Sequence, residues 1–340
     1  MSSSLQDIAR LAGVSKSTVS RVINNHPNVS ARTRQRVQEV IQQENFRPNS
    51  AARALVRQQT RVLSVIIPQM LAATFTDPYF PQLIQSISLT ASEYDYAIML
   101  WVSSDIEAEE RFYDRIVNNG FFDGVLVASS IDDDPILARV VAAGFPHVLI
   151  GPPQQHVQHY VDVANSAAAC CAVEHLLGLG YQRVATITGA PNLGVAQQRL
   201  RGYRMALENA GYAADDRLIA VADFNEVSGY TAMSLLIERG VDAVFAASDV
   251  LAMGALRALA DAGLHVPDDV ALVGFDDMPF AAIATPPLTT VRQPIAQLGA
   301  EATRSLIRLV EGVPGTPEPI ILPAHLIIRE TCGAKRVERS

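Results

Sequence analysis

Ser4-Leu5-Gln6-Asp7-Ile8-Ala9-Arg10-Leu11-Ala12-Gly13-Val14-Ser15-Lys16-Ser17-Thr18-Val19-Ser20-Arg21-Val22-Ile23-Asn24 stands near the start of the chain and divides into two short helices around a tight turn. Leu5, Ile8, Ala9 and Ala12 recur at three- and four-residue spacing, which gives one apolar helix face. Ser4, three residues before Asp7, predicts a capping box in which each side chain accepts the other's backbone N–H. Gly13 ends the helix, since glycine takes a left-handed turn at little cost. Ser15 is an N-cap for a second helix over 16–24. That helix turns Val19, Val22 and Ile23 inward and leaves Lys16, Ser17, Ser20 and Arg21 free. A third helix over 31–44 brings Val37, Val40 and Ile41 as the other wall of a small core. A short helix crowded with small polar and basic side chains fits a DNA major groove.

Outward from this head, residues 46–60 read as a tether. Pro48 disfavours helix just before it. Asn49 can cap a segment over 50–57 that has helix propensity but is too short to stand alone. From residue 61 the pattern alternates. Apolar strand candidates fall at 62–67, 97–101, 124–128, 147–150, 183–187, 218–222, 243–246 and 270–274. Helical stretches between them include 81–93, 106–119, 166–179, 198–210, 227–239 and 250–262, several closed by a glycine in the C-cap position. Such alternation implies parallel sheets covered by helices on both faces. Eight strands in one open sheet would also satisfy it.

At 340 residues the chain is long enough for two or three domains. Its net charge of −8 is unevenly spread: residues 1–60 hold 9 Lys/Arg against 3 Asp/Glu, and the remainder 18 against 32. A basic head on an acidic body fits a protein that puts one end on nucleic acid. No apolar run follows Met1 and no stretch approaches 18 consecutive apolar residues, so neither an export signal nor a membrane span is expected, and the protein reads as cytoplasmic. Cys170, Cys171 and Cys332 read as reduced thiols, the adjacent pair as small core residues. His156 and His159 lie in a Pro/Gln-rich loop without a nearby Cys or carboxylate cluster, so no metal is expected. There is no phosphate loop, no Gly-x-Ser-x-Gly elbow and no cofactor motif, which argues against an enzyme.

Asp7-Ile8-Ala9, Gly13-Val14-Ser15, Thr18-Val19-Ser20-Arg21-Val22-Ile23-Asn24, Val29-Ser30 and Arg47-Pro48-Asn49 together resemble the lactose-repressor (LacI/GalR) family of bacterial transcription regulators, and the likeness runs to the C-terminus. It implies a small all-α helix-turn-helix domain before an α/β effector domain of periplasmic-binding-protein type, with two doubly wound parallel-sheet subdomains. The implied limits are 1–46 for the DNA-binding domain, 47–60 for hinge helix and linker, and 61–333 for effector binding and dimerisation. In that last part an N-subdomain of about 61–161 plus 292–321 joins a C-subdomain of about 163–289 plus 323–333. Crossings are implied near 160–165, 289–293 and 319–326. The family role is a repressor that binds a palindromic operator as a homodimer, its affinity set by a small-molecule effector. A solute-binding protein shares the cleft but needs an export signal and no DNA-binding head. Without a leucine heptad after Arg329-Glu330-Thr331, a tetramerising appendage is not expected.

On the DNA side, Lys16, Ser17 and Arg21 are placed to read base edges, and Thr18, Ser20 and Asn24 to hold phosphate. Asn49 and Arg53 belong to the hinge. By resemblance Leu55 is the residue that wedges into the minor groove, although it can also pack on its own domain. In the cleft, a polar ligand needs planar charged donors and a flat apolar face. Tyr79 and Phe80, read as loop residues after the first strand, with Arg199, Phe224, Ser248, Asp249 and Asp276, match positions that line the effector pocket in relatives. Asp249 either caps the next helix or meets ligand, and Trp101 is either cleft edge or core. Relatives usually carry Asp-Asn where this chain has Ala164-Asn165, which puts the usual sugar geometry in doubt. Asp162, two residues away, faces the same way in a strand and can substitute in part. Loop 190–195 is mainly apolar, whereas relatives that take purines make polar contacts there. A sugar or sugar-acid effector is therefore favoured over a nucleobase or nucleoside.

Overall fold

The computed structural model describes residues 4–23, 26–46, 59–67, 78–102, 120–128, 131–315 and 318–334. The chain divides into two units, Met1–Thr60 and Arg61–Ser340.

The first unit holds α1 (Leu5–Leu11), α2 (Lys16–Ile23) and α3 (Ala31–Gln43). The capping box forms as the spacing predicts: the Asp7 N–H donates to Ser4 Oγ (3.3 Å) and the Ser4 N–H to Asp7 Oδ2 (3.0 Å). Gly13 turns the chain at φ +61°. Ser15 Oγ then accepts the Thr18 N–H at 3.1 Å, and Ser30 caps α3 through the Thr33 N–H. Ile8, Ala9, Ala12, Val19, Val22 and Val37 form the buried core. A core this small leaves capping and turn geometry a large share of the unit's definition.

The second unit contains two six-stranded sheets. The first runs β11-β5-β4-β3-β1-β2, from β1 (Val62–Ile67), β2 (Ala97–Val102), β3 (Gly124–Ala128), β4 (His147–Ile150), β5 (Tyr160–Val163) and β11 (Ile320–Leu322). The second runs β12-β10-β9-β8-β6-β7, from β6 (Val184–Thr188), β7 (Ile219–Val221), β8 (Ala243–Ala246), β9 (Ala271–Asp276), β10 (Thr289–Arg292) and β12 (His325–Ile327). Every pairing is parallel except β10 with β12.

Helices cover both faces of both sheets. On the first sheet, Leu63, Val65 and Ile67 pack under α4 (Tyr79–Glu93) and α10 (Ile295–Val310). Ile66, Val125 and Val127 pack under α5 (Pro135–Ala142) on the opposite face. On the second, Val184, Phe245 and Phe275 face α6 (Asn165–Gly178) and α7 (Gly194–Asn209). Ile187, Val244 and Leu272 face α8 (Glu226–Glu238) and α9 (Asp249–Asp261). The period-two alternation is why these strands read as nearly continuous apolar runs.

Four strands lie in stretches expected only to cross between lobes. β5, β10, β11 and β12 are three or four residues long and sit at or next to a sheet margin. β5 and β10 mix polar with apolar residues and β11 and β12 have only three residues each, so no apolar run marks them. The chain passes between lobes from β5 into α6, from β10 into α10, and from β11 into β12. Helices α5 and α10 fall in stretches left without an assignment, although Ile295, Leu298, Ala302 and Leu306 carry a clear helical spacing. Helix α7 begins four residues earlier than the expected 198. The expected helix over 106–119 lies outside the described residues. Trp101 is half-buried and packs against the cluster of Ile66, Val125 and Val127.

Candidate functional site

In the first unit, α2 presents one polar face. Lys16, Ser17 and Arg21 are exposed, while Thr18 and Ser20 are half-buried at its flank. Ser15 Oγ lies 2.7 Å from Ser17 Oγ and 2.8 Å from Thr18 Oγ1, so the first turn is ordered by its own hydroxyls. Asn24, Asn49, Arg53 and Leu55 lie outside the described residues.

In the second unit, the carboxyl ends of β6, β8 and β9 converge on Arg199. This side chain comes from the second turn of α7 and is 5% exposed. Its Nε donates to Asn165 Oδ1 (3.0 Å) and its Nη1 to the Ala247 carbonyl (2.5 Å) and Asp276 Oδ1 (3.4 Å). The guanidinium carbon stands 3.8 Å from the centre of the Phe275 ring. A planar cation stacked on a ring and bonded along one edge is held in a single orientation. Among the described residues its Nη2 makes no hydrogen bond.

Asp276 ends β9 with φ +121°, and Asp277 follows at φ +58°. Two successive non-glycine residues at positive φ cost on the order of 1–3 kcal/mol each, and persist only where the surroundings hold them. The surroundings here are specific. Gln293 Nε2 donates to Asp276 Oδ1 (2.5 Å). Asp277 accepts from Arg292 Nε (2.6 Å) and Arg329 Nη2 (2.5 Å). The next residue, Met278, donates its N–H to Asp249 Oδ2 (2.7 Å) and buries its side chain in the core of the other lobe. A cleft of about 410 Å³ opens beside Asp276, lined by Gln82 of α4 and by Asp277, Arg292 and Gln293.

The network extends into β5. Asn165 Nδ2 donates to Asp162 Oδ1 (3.3 Å), to the Val163 carbonyl (3.1 Å) and to Gln198 Oε1 (2.8 Å). Gln198 Nε2 reaches Asp162 Oδ2 at 3.3 Å. Burial raises the Asp162 carboxyl above the ordinary range, against the opposing pull of its hydrogen bonds and of Arg199. Asp162 thus joins Arg199 through Asn165, beside the apolar Ala164. Asn165, Gln198 and Gln293 were not anticipated, because single polar residues next to strands leave no periodic signal.

Several expected placements are corrected. Tyr79 and Phe80 are not loop residues. They form the first turn of α4 and pack half-buried on the lobe core, with ring centres 5.2 Å apart edge to face. Pro78 and Pro81 obscured a helix start, yet proline is tolerated in a first turn. Ser248, not Asp249, caps α9, through the Leu251 N–H at 3.2 Å. Asp249 is fully buried, with Oδ1 accepting from Thr290 Oγ1 (2.5 Å) and Oδ2 from Met278. Burial pushes its carboxyl well above the usual range. Both side chains are engaged within the lobe. Phe224 is half-buried, with its ring over Gly189.

The lobes also meet away from the crossings. Ile131 and Leu193 form an antiparallel bridge, the Asp132 N–H donates to the Asn192 carbonyl (3.0 Å), and Gln197 Nε2 donates to Asp132 Oδ2 (2.6 Å). Loop 190–195 is therefore a lobe-to-lobe contact.

Among the described residues, no group of three or more His, Cys, Asp or Glu is placed to hold a metal. No helix among them is long and apolar enough to cross a membrane.

One unit thus presents an exposed polar helix, and the other a buried, oriented cation near the junction of two lobes. Residues 4–49 match the model of bacterial regulatory proteins of the lacI family, and residues 173–332 match a periplasmic binding protein-like domain. The chain is 37% identical over 333 residues to the HTH-type transcriptional regulator CelR of Thermobifida fusca, covering 96% of this chain and 97% of that protein. The solved CelR–cellobiose complex superposes with a TM-score of 0.77 at 35% identity, over 97% of this chain and 99% of that one. The lac repressor dimer bound to operator and the anti-inducer ONPF superposes with a TM-score of 0.86 at 27% identity, over 98% and 99%. The chain belongs to the lacI family and is a DNA-binding transcriptional regulator.

Proposed function

We propose that this regulator is a repressor that binds a near-palindromic operator as a homodimer in the cytoplasm, and that a sugar or sugar acid bound between its lobes controls that binding. The observation that carries the effector reading is Arg199. Its guanidinium is fixed on Phe275 and bonded to Asn165, Ala247 and Asp276, while Nη2 makes no hydrogen bond among the described residues. A vicinal diol or a carboxylate satisfies such a donor edge. Asp276 accepts from a second hydroxyl, and Phe80, Tyr79 and Phe224 offer apolar faces for the C–H surface of a sugar ring. The effector leaves chemically unaltered. Domain limits of 1–46, 47–60 and 61–333 suit this division of labour.

On DNA, Lys16, Ser17 and Arg21 read base edges, Thr18, Ser20 and Asn24 hold phosphates, and Asn49, Arg53 and Leu55 act in the hinge. Effector binding favours one arrangement of the lobes, and by linkage DNA changes effector affinity by the same factor. Leu55→Ala is expected to weaken operator affinity at least tenfold in fluorescence anisotropy, because the apolar wedge that stabilises bent DNA is lost. Effector affinity should stay within twofold. Unchanged operator affinity would remove the wedge.

The deciding experiment is a thermal-shift screen against sugars, sugar acids, sugar phosphates and nucleobases, with cellobiose first because the similar CelR binds it. A ligand at about 100 times its Kd adds roughly 2.7 kcal/mol to the state it binds, a shift of several degrees. A nucleobase hit in place of a sugar would overturn the effector class.

A further inference from the structure

We propose that Gly189 is a specificity-determining residue of the cleft. Its bare Cα at the end of β6 is the seat of the Phe224 ring and sets how far that ring advances over a bound sugar. The inference rests on the reading that Phe224 faces the effector.

The reason for a glycine here is not conformational, since Gly189 is absent from the positions of positive φ. Space is the reason. A Cβ at 189 would stand 2.5 and 2.6 Å from Cε2 and Cζ of Phe224, and 3.1 Å from the Cβ of Ala196. Apart from Gly274 and Gly333, where a Cβ would meet the side chains of Asp249 and Tyr181, the other close glycines of this lobe differ in kind. A Cβ at Gly202 would meet the Ser166 carbonyl, and one at Gly229 or Gly254 the backbone of the facing helix. Those glycines let helices approach. Gly189 makes room for the tip of one aromatic side chain.

The seat of that ring also borders the helix that carries Arg199, through the Cβ of Ala196. Ala196 precedes Arg199 by three residues on α7, so both share a helix face. The Ala247 N–H donates to the Ile187 carbonyl (2.8 Å), and the Ala247 carbonyl accepts from Arg199 Nη1. Gly189 is therefore two residues beyond Ile187, the position bonded to the Ala247 that holds the guanidinium. A methyl group at 189 must push the ring to ordinary contact distance, a displacement of about 1 Å given carbon–carbon contacts near 3.5–4.0 Å. Phe224 is half-buried against the lobe core, and as a side chain it gives way by turning about its own bonds. The position of the ring in the cleft then changes with little demand on the backbone.

The test uses the full-length protein, with calorimetric titration of the sugar giving the largest thermal shift and of glucose as the small comparison. Gly189→Ala is expected to weaken the first sugar at least tenfold and to change the ratio of the two affinities. Operator affinity without sugar should stay within twofold. Phe224→Ala should weaken the same sugar, and the double variant should be no worse than Phe224→Ala alone. If Gly189→Ala binds like wild type while Phe224→Ala does not, the inference about Gly189 is overturned and the cleft reading stands. If Phe224→Ala binds like wild type, or no sugar binds the parent protein, that reading fails and the inference falls with it. Should Gly189→Ala lower the melting temperature of the free protein, adding Phe224→Ala must restore it; no restoration would show that the methyl group meets something other than the ring.

Discussion

Arg199→Ala is expected to lose the response to the effector while retaining operator binding. In the proposed reading the guanidinium would supply the ligand with a charge-assisted hydrogen bond of about 1.5–3 kcal/mol, or roughly 10- to 150-fold in affinity. The effect should exceed that range, because the substitution also disturbs the site. Asn165 Oδ1 loses its donor, the Ala247 carbonyl loses Nη1, and buried Asp276 keeps Gln293 but loses its cation. Removing one partner of a buried ion pair costs about 3–5 kcal/mol. Arg199→Lys should fall between wild type and alanine, since an ammonium keeps the charge but cannot lie flat on Phe275 and bond Asn165 and Ala247 together. Calorimetry measures the sugar affinity, and anisotropy follows operator release as sugar is added. Near-normal affinity in Arg199→Ala would remove this residue from the contact set.

The second large effect is structural. Gly254→Val should lower the melting temperature of the effector unit by about 6–12 °C, corresponding to roughly 3 kcal/mol. Helices α8 and α9 approach so closely that a Cβ on Gly254 would fall on the Glu226 carbonyl oxygen, with the Tyr230 nitrogen 2.6 Å away. The relation is reciprocal: a Cβ on Gly229 would stand 2.5 Å from the Leu251 carbonyl oxygen. Main-chain atoms of a helix cannot swing aside as a side chain does, so the pair must separate and expose Leu251, Ala255 and Met233. Thermal unfolding followed by circular dichroism measures the change. An unaltered melting temperature would show that the helices part without loss.

The head was legible almost residue by residue because local signals define it. The Ser4/Asp7 box, the Gly13 turn and the Ser15 and Ser30 caps act within four residues of their own positions. The long strands and most helices of the body were legible through periodicity. What failed to show was non-local or too brief. β10, β11 and β12 are pairings of three or four residues whose strand character comes from neighbours far along the chain. Asp249 illustrates the same limit at the site. A carboxylate in a first turn reads as a cap, but its partners Thr290 and Met278 are about forty and thirty residues downstream, brought near by β9 and β10. Arg199 and Asp276 were visible through the family likeness. The Asn165–Gln198–Asp162 network between them and β5 was not.

The Ile131–Leu193 bridge has a bearing on time. Three covalent passages join the lobes near the β5/β11 and β10/β12 margins, while the bridge joins loops following β3 and β6, deeper in each sheet order. For the effector proposed above, release would require rupture of the Asp132–Asn192 and Asp132–Gln197 bonds in addition to the loss of its own contacts. Residence would then be set by a gate as well as by the strength of the grip, and a brief pulse of nutrient would mark transcription for as long as the gate stayed shut.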